Sequence, residues 1–182
     1  MHISLLYRNF IRVLLCSLCL LWVLPVTLTA QYNQDIMKAA YMERITRFID
    51  WPESRTINDS TVFTIGIFGD NNFYSVLKAS LNDKTIKSKE VEIIKLVKPI
   101  KVELCDICYI SGITETEIEL LVSEANRKGV LLMTEKKGFG EKGVHLNFYL
   151  EDNKLKFEIN RSSLEAGNFK ASSLLLKSSK VL

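Results

Sequence analysis

VFTIGIFGDNNFYSVLKASL, residues 62–81, changes its apolar rhythm from strand to helix across one polar turn. Val62 to Phe68 is a near-continuous apolar and β-branched run, the pattern of a strand covered on both faces and therefore central in its sheet. Gly69, Asp70 and Asn71 make the turn. Phe73, Val76, Leu77 and Leu81 then fall on one helical face.

Downstream the alternation continues. Val91 to Val97 reads as a second strand and Ile107 to Ile110 as a third, and Thr114 with Glu117 forms a capping box that opens a helix through Ala125. Gly129 ends that helix, and Val130 to Met133 is the next strand. Val144 to Leu150 and Lys154 to Ile159 are two strand-forming runs joined by the polar turn formers Glu151, Asp152 and Asn153, which predicts a hairpin. After a Ser-, Asn- and Gly-rich stretch over Asn160 to Lys170, Ser172 and Ser173 open an apolar run that buries itself as a short helix. Upstream, Met37, Tyr41, Ile45 and Phe48 recur at helical spacing, with Lys38, Glu43, Arg44 and Arg47 between them. Pro52 is expected to stop that helix and hold Trp51 extended. The fold class that follows is α/β: a mostly parallel sheet with helices on both faces and a C-terminal antiparallel hairpin. In such sheets ligands sit beyond the carboxyl ends of the strands, so the turn after Phe68, the Ser111-Gly112 pair and the loop from Thr134 to Gly143 should share one rim.

The first thirty residues point to the compartment. Arg8 and Arg12 precede an apolar stretch from Val13 to Val26 broken by Pro25, and Thr27 to Ala30 ends in a small residue suited to cleavage, although Leu28 is bulky for its position. About fourteen apolar residues fall short of the roughly 20 that span a bilayer as a helix. Residues 1–30 are therefore expected to be a secretory signal peptide, with 31–182 as one periplasmic domain. Cys16 and Cys19 lie inside the leader without the small residues of a lipoprotein cleavage box. Arg8 and Arg12 are the leader's only charged side chains, so its loss takes the net charge from +3 to +1. With basic and acidic residues interleaved, no phosphate-backbone footprint is present and nucleic acid is not an expected partner. No repeat, low-complexity tract or Pro/Gly-rich linker follows residue 31.

Catalytic and metal chemistry find little support. The only histidine after the leader, His145, sits within the hairpin run, and no Ser or Cys has an activating context, so it reads as a packed or edge-facing imidazole. Cys105 and Cys108 form a C-x-x-C, but a zinc site needs about two further Cys or His ligands. No cofactor or metal is expected. Export makes a disulfide between Cys105 and Cys108 an option; on a strand, residues three apart point to opposite faces, so the bond would need a kink at the strand's entry, and buried free thiols are the other reading. The polar start of the last helix is the strongest ligand candidate: Asn168, Lys170, Ser172 and Ser173 offer amides, hydroxyls and an ammonium to a carboxylate or phosphate, and Arg161 can add a bidentate contact. Simple N-capping by serine is the alternative. Trp51 is either a partner-binding residue or a lid on the core.

The block GFGEKGVHLNFYLEDNKLKFEINRSSLEAGNFKASSLLLKSSKVL, residues 138–182, resembles the C-terminal signature of the YfiR family, bacterial periplasmic proteins. There a hairpin ending in Phe-x-Ile-Asn leads to Ala-Gly-x-Lys-x-Ser-Ser and a leucine-rich helix. Phe157, Ile159, Asn160, Ala166, Gly167, Lys170, Ser172, Ser173, Leu174 and Leu175 stand at those positions. Ala39, Ala40, Phe48, Trp51 and Pro52 look like the family's opening helix and Trp-Pro, and Ile65, Gly66 and Gly69 like its first strand and turn. Cys105, Tyr109, Ile110 and Ser111 look like its central strand. In relatives such cysteines can pair elsewhere, a route that one other cysteine after the leader does not supply.

The resemblance implies a non-enzymatic repressor that binds the periplasmic sensory domain of a membrane-bound diguanylate cyclase, lowering cyclic di-GMP and biofilm formation. It also implies an alternative, a ligand-sensing module acting with a sensor histidine kinase. A third class is an exported enzyme with a sparse carboxylate site around Asp70, Glu135 and Asp152. A small anionic ligand and a homodimer both stay open at this stage.

Overall fold

Val62–Phe68 (β2) lies near the centre of an eight-stranded sheet, as its two-sided apolar pattern requires. This computed structural model describes residues 33–53, 61–99 and 101–182, together with Arg12 and Gln31. The expected leader, with Cys16 and Cys19, lies outside the described residues apart from Arg12. Residues 35–182 form one compact unit.

Helical residues run from 33 to 46 (α1) and lead to the two-residue strand Ile49–Asp50 (β1). After β2 come helix Asn71–Leu81 (α2), strand Thr85–Ile86 (β3) and strand Lys89–Lys95 (β4). A 3-10 turn over Lys101–Leu104 precedes Ile107–Ile110 (β5), Glu115–Lys128 (α3) and Leu131–Thr134 (β6). The hairpin is Leu146–Glu151 (β7) with Lys154–Ile159 (β8), and the chain closes with Arg161–Ala166 (α4), Lys170–Ala171 (β9), Ser173–Lys177 (α5) and Lys180–Val181 (β10).

The sheet order is β10-β8-β7-β6-β5-β2-β4-β3. Neighbours from β4 through β7 pair in parallel, whereas β7–β8 and β3–β4 are antiparallel. The chain moves to one side of β2 and then back past it to β5, which puts the topological switch point between β2 and β5. Alternate side chains of the strands bury into two apolar layers. Phe63, Ile65 and Ile67 of β2, with Ile107 and Tyr109 of β5, pack with residues of α1, α2 and α5. Cys108, Ile110 and Leu132 point the other way, onto Ile118, Leu121 and Ala125 of α3. Helices therefore cover both faces of a mostly parallel sheet.

Local signals placed the termini well. Asp70 accepts from Phe73 N at 2.9 Å to cap α2, the Thr114–Glu117 box opens α3, and Gly129 at φ 64 closes it. Asp152 and Asn153 both take positive φ, the backbone of a two-residue type I′ turn.

The first helix departs from expectation twice. It stops at residue 46, well before Pro52, because the chain turns at Arg47-Phe48 so that Ile49 and Asp50 can pair with Ala171 and Lys170. Its buried face is Asp35, Lys38, Ala39, Met42, Ile45 and Thr46, so Met37 is 45% exposed, and Tyr41 and Phe48 are half-buried. Of the expected stripe only Ile45 is fully buried, and a lysine lies inside on the same face. In the Ser-, Asn- and Gly-rich stretch after the hairpin, Asn160 accepts from Ser163 N at 2.8 Å and starts α4, a helix the composition did not signal.

Candidate functional site

At the carboxyl edge, the three loops expected to share a rim do meet. Gly69, at φ +82, lies so close to the Ser111 carbonyl oxygen that a Cβ there would sit 2.1 Å from it. Lys136 Nζ donates to the Ile113 carbonyl at 2.7 Å, tying the loop after β6 to the loop after β5. The crevice between β2 and β5, where ligands of such sheets usually enter, is thus narrowed by backbone contact.

Beneath this edge lies a buried charge network on α1. Lys38 Nζ reaches Asp35 at 2.7 Å, Glu135 at 2.9 Å and the Tyr109 hydroxyl at 3.5 Å, and it sits 4.6 Å from the centre of the Phe73 ring. Asp35 and Lys38 are each 1% exposed, and Asp35 also accepts from Asn72 Nδ2 at 2.8 Å. An ammonium has three donors, and all three find acceptors. Burial, with Glu135 next, raises the Tyr109 phenol far above its ordinary range, so it stays neutral. Such a saturated cluster pins α1 to the ends of β5 and β6 and leaves no donor for a substrate. Sequence reasoning placed Lys38 only among the positions between the apolar ones; the Asp35–Lys38 spacing of three on a helix, in register with Ala39 and Met42, was the available signal.

The three carboxylates of the enzyme reading do not gather. Asp70 is the α2 cap and Glu135 serves Lys38. Asp152 lies five residues past Asn147, the pairing partner of Thr134, which places it about 16 Å further along the strand direction. His145 is fully buried, Nδ1 accepting from Leu132 N at 2.8 Å and Nε2 meeting Asn126 Oδ1 at 2.6 Å, and burial pushes its pKa down to about 3. An imidazole held neutral and out of solvent has no proton to exchange with a substrate. Among the described residues, no three His, Cys, Asp or Glu side chains could hold a metal ion.

Of the expected ligand and partner residues, the structure brings three together. Trp51, Asn168 and Lys170 line a surface hollow of about 420 Å³ with Asp50, Pro52 and Glu53, because the β1–β9 ladder sets Asp50 opposite Lys170. Its two carboxylates against one ammonium do not favour an anion. Trp51 donates from Nε1 to the Asp106 carbonyl at 3.2 Å and meets Phe63 and Phe169 edge-on, so most of its ring closes the core. Arg161 pairs with Glu165 on the exposed face of α4. The Ser172 hydroxyl caps α5 by accepting from Leu175 N at 3.2 Å, and Ser173 is the exposed first residue of that helix. Cys105 and Cys108 are both fully buried. They share one apolar layer rather than opposite faces, since Cys105 lies before the strand begins and its sulfur fills the space over Gly66. Burial, then the neighbouring Cys105, raises the Cys108 thiol well above its usual pKa.

No helix among the described residues is long and apolar enough to cross a membrane. A search of curated proteins returned no match. Among solved structures, a conserved domain protein from Vibrio cholerae O1 biovar El Tor str. N16961 is similar, at TM-score 0.50 and 13% identity over 65% of this chain and 54% of that one. The ABC domain in complex with L-Trp from Streptococcus pneumonia matches at TM-score 0.48 and 11% identity over 66% of this chain and 55% of that one. This chain thus spans about half the length of each, and the first likeness speaks to fold alone. The profile of a regulatory, non-catalytic and periplasmic family matches residues 35–180, nearly all of the compact unit that carries these features: the chain belongs to the YfiR/HmsC-like family.

Proposed function

We propose that this protein represses a membrane-bound diguanylate cyclase by binding the cyclase's periplasmic sensory domain, so that cyclic di-GMP falls and biofilm formation declines. The observation that carries the reading is the family match across residues 35–180. The buried chemistry agrees with it: Lys38 is saturated and His145 is sealed as a neutral ring, so the groups that could do acid–base work serve the fold. Repression then works by differential affinity, the protein binding the inactive state of the sensory domain more tightly than the active one.

Deleting the gene should raise cellular cyclic di-GMP, and restoring the exported chain should lower it again. Affinity recovery from solubilised membranes should return a diguanylate cyclase. Unchanged cyclic di-GMP in the deletion strain, or recovery of no membrane receptor, would sink the proposal.

A further inference from the structure

The half-buried flank of α1 forms one wall of a groove. Tyr41 and Arg44 lie one turn apart on that flank, and Phe48 follows just past the helix end. Across from them stand Phe157 of β8 and Leu174 of α5, the latter 62% exposed, around a hollow of about 290 Å³. A second hollow of about 340 Å³ adjoins it, sharing Tyr41, Phe157 and Ser178 and running on past Lys156, Lys177 and Lys180. Tyr41 forms the saddle between them, its ring 5.7 Å from that of Phe157.

The charge of this groove has one sign. Its lining holds Arg44, Lys156, Lys177 and Lys180 and no carboxylate. Lys156 and Lys180 are engaged by Glu151 and Glu158 at its margin. Among the described residues, Arg44 and Lys177 make no ion pair, and both are exposed. Each hollow is at the small end of the range for an enclosed ligand and suits protruding side chains instead. The wall is also fixed in place, since Lys38 clamps the opposite side of α1 to the sheet.

We infer that the groove between α1 and α5 docks an acidic amphipathic helix of a partner protein, whose leucine or aromatic side chains fill the two hollows while its carboxylates meet Arg44 and Lys177. Helix-in-groove recognition uses apolar anchors at i, i+3, i+4 and i+7, and the rim charge selects the partner and speeds encounter. This deepens the repressor reading by naming the surface and the chemistry of the segment it holds.

The test uses the protein as recovered from cells and two fluorescein-labelled amphipathic peptides of about 20 residues. Both carry leucines at helical spacing, one with glutamates on the polar face and the other with lysines. Fluorescence anisotropy should show the acidic peptide binding about tenfold or more tighter than the basic one. The double variant Arg44→Glu/Lys177→Glu should reverse that preference, and Leu174→Ser should weaken both peptides. All three positions are exposed, and thermal melts of the variants should match that of the unaltered chain. Failure of the acidic peptide to bind, indifference to the charge reversal, or tighter binding to phosphatidylglycerol vesicles than to the peptide overturns the inference. These outcomes do not depend on the cyclase. A chain whose groove variants bind no peptide yet lower cyclic di-GMP normally refutes this surface and spares repression, whereas peptide binding without any effect of the gene on cyclic di-GMP does the reverse.

Discussion

His145 shows how one side chain can carry a strong pH signature without any catalytic part. In the folded protein its ring is sealed beneath α3 with Nδ1 already accepting from Leu132 N, and its pKa is pushed from 6.5 down to about 3 by burial. In the unfolded chain the ring takes a proton as pH falls below 6.5, while the folded ring stays neutral until about pH 3. The unfolded state therefore binds more protons across that window, so stability is full above it and declines as pH drops through it. The expected slope from this group is about 1.4 kcal/mol for each pH unit in the middle of the window. Urea unfolding of the unaltered chain and of His145→Gln at pH 7, 6, 5 and 4 measures it. Glutamine offers both an acceptor and a donor, and the variant should lose that share of the slope. Parallel pH profiles for the two proteins would contradict the buried neutral assignment.

At the scale of the element, α1 is held by charge where most helices are held by oil. Replacing Lys38 with methionine keeps the apolar stem but takes the ammonium from the buried Asp35, and removing one member of a buried pair typically costs about 3–5 kcal/mol. Lys38→Met should therefore unfold at clearly lower urea, and adding Asp35→Asn should recover part of the loss, a coupling that a double-mutant cycle reads directly. Simple additivity of the two losses would mean that the pair does not hold the helix.

Elements written in local code were legible in the sequence: β2 and β5 by their apolar runs, α2 and α3 by a cap and a capping box, and the hairpin by its polar turn. Those that exist only through distant pairing were not. β1 and β9 are two residues each and are defined by Ile49 meeting Ala171, a contact with no local signal. The same holds for β10, which pairs with β8, whereas β3 folds back on β4 through Lys87 and Ser88, both at positive φ, without the Asn-Gly chemistry that marks such turns. The face of α1 was misread for a different reason: hydrophobic periodicity cannot foresee that a lysine enters the core when two carboxylates and two aromatic rings await it. The candidate site residues divide by what their side chains touch. Trp51, Asn168 and Lys170 do share a hollow, but the hydroxyl of Ser172 is spent on capping and Arg161 faces solvent with Glu165.

In the unit formed by residues 35–182, two apolar layers close over the two faces of the sheet. Cys105 and Cys108 report on that property, because both are completely buried in the α3-side layer and Cys105 fills the space over Gly66. Alkylation needs an exposed thiolate, and here burial both hides the sulfurs and holds the Cys108 thiol in its protonated form. Iodoacetamide should thus reach either thiol only when the sheet opens. With an ordinary domain stability of about 5 kcal/mol or more, the native chain should react at least about a thousandfold more slowly than the unfolded chain at the same pH. In a urea series, the labelled fraction of Cys105 and of Cys108 after a short pulse should follow the same midpoint as the circular dichroism transition, the two adducts appearing together in their peptide masses. Rapid labelling of one cysteine in native buffer would show that the layer under α3 opens locally, and an unlabelled chain in denaturant without reductant would show a disulfide instead. A body that protects both thiols until it unfolds as a unit can act on a partner only through its exterior, which is why the groove along α1 carries the regulatory argument.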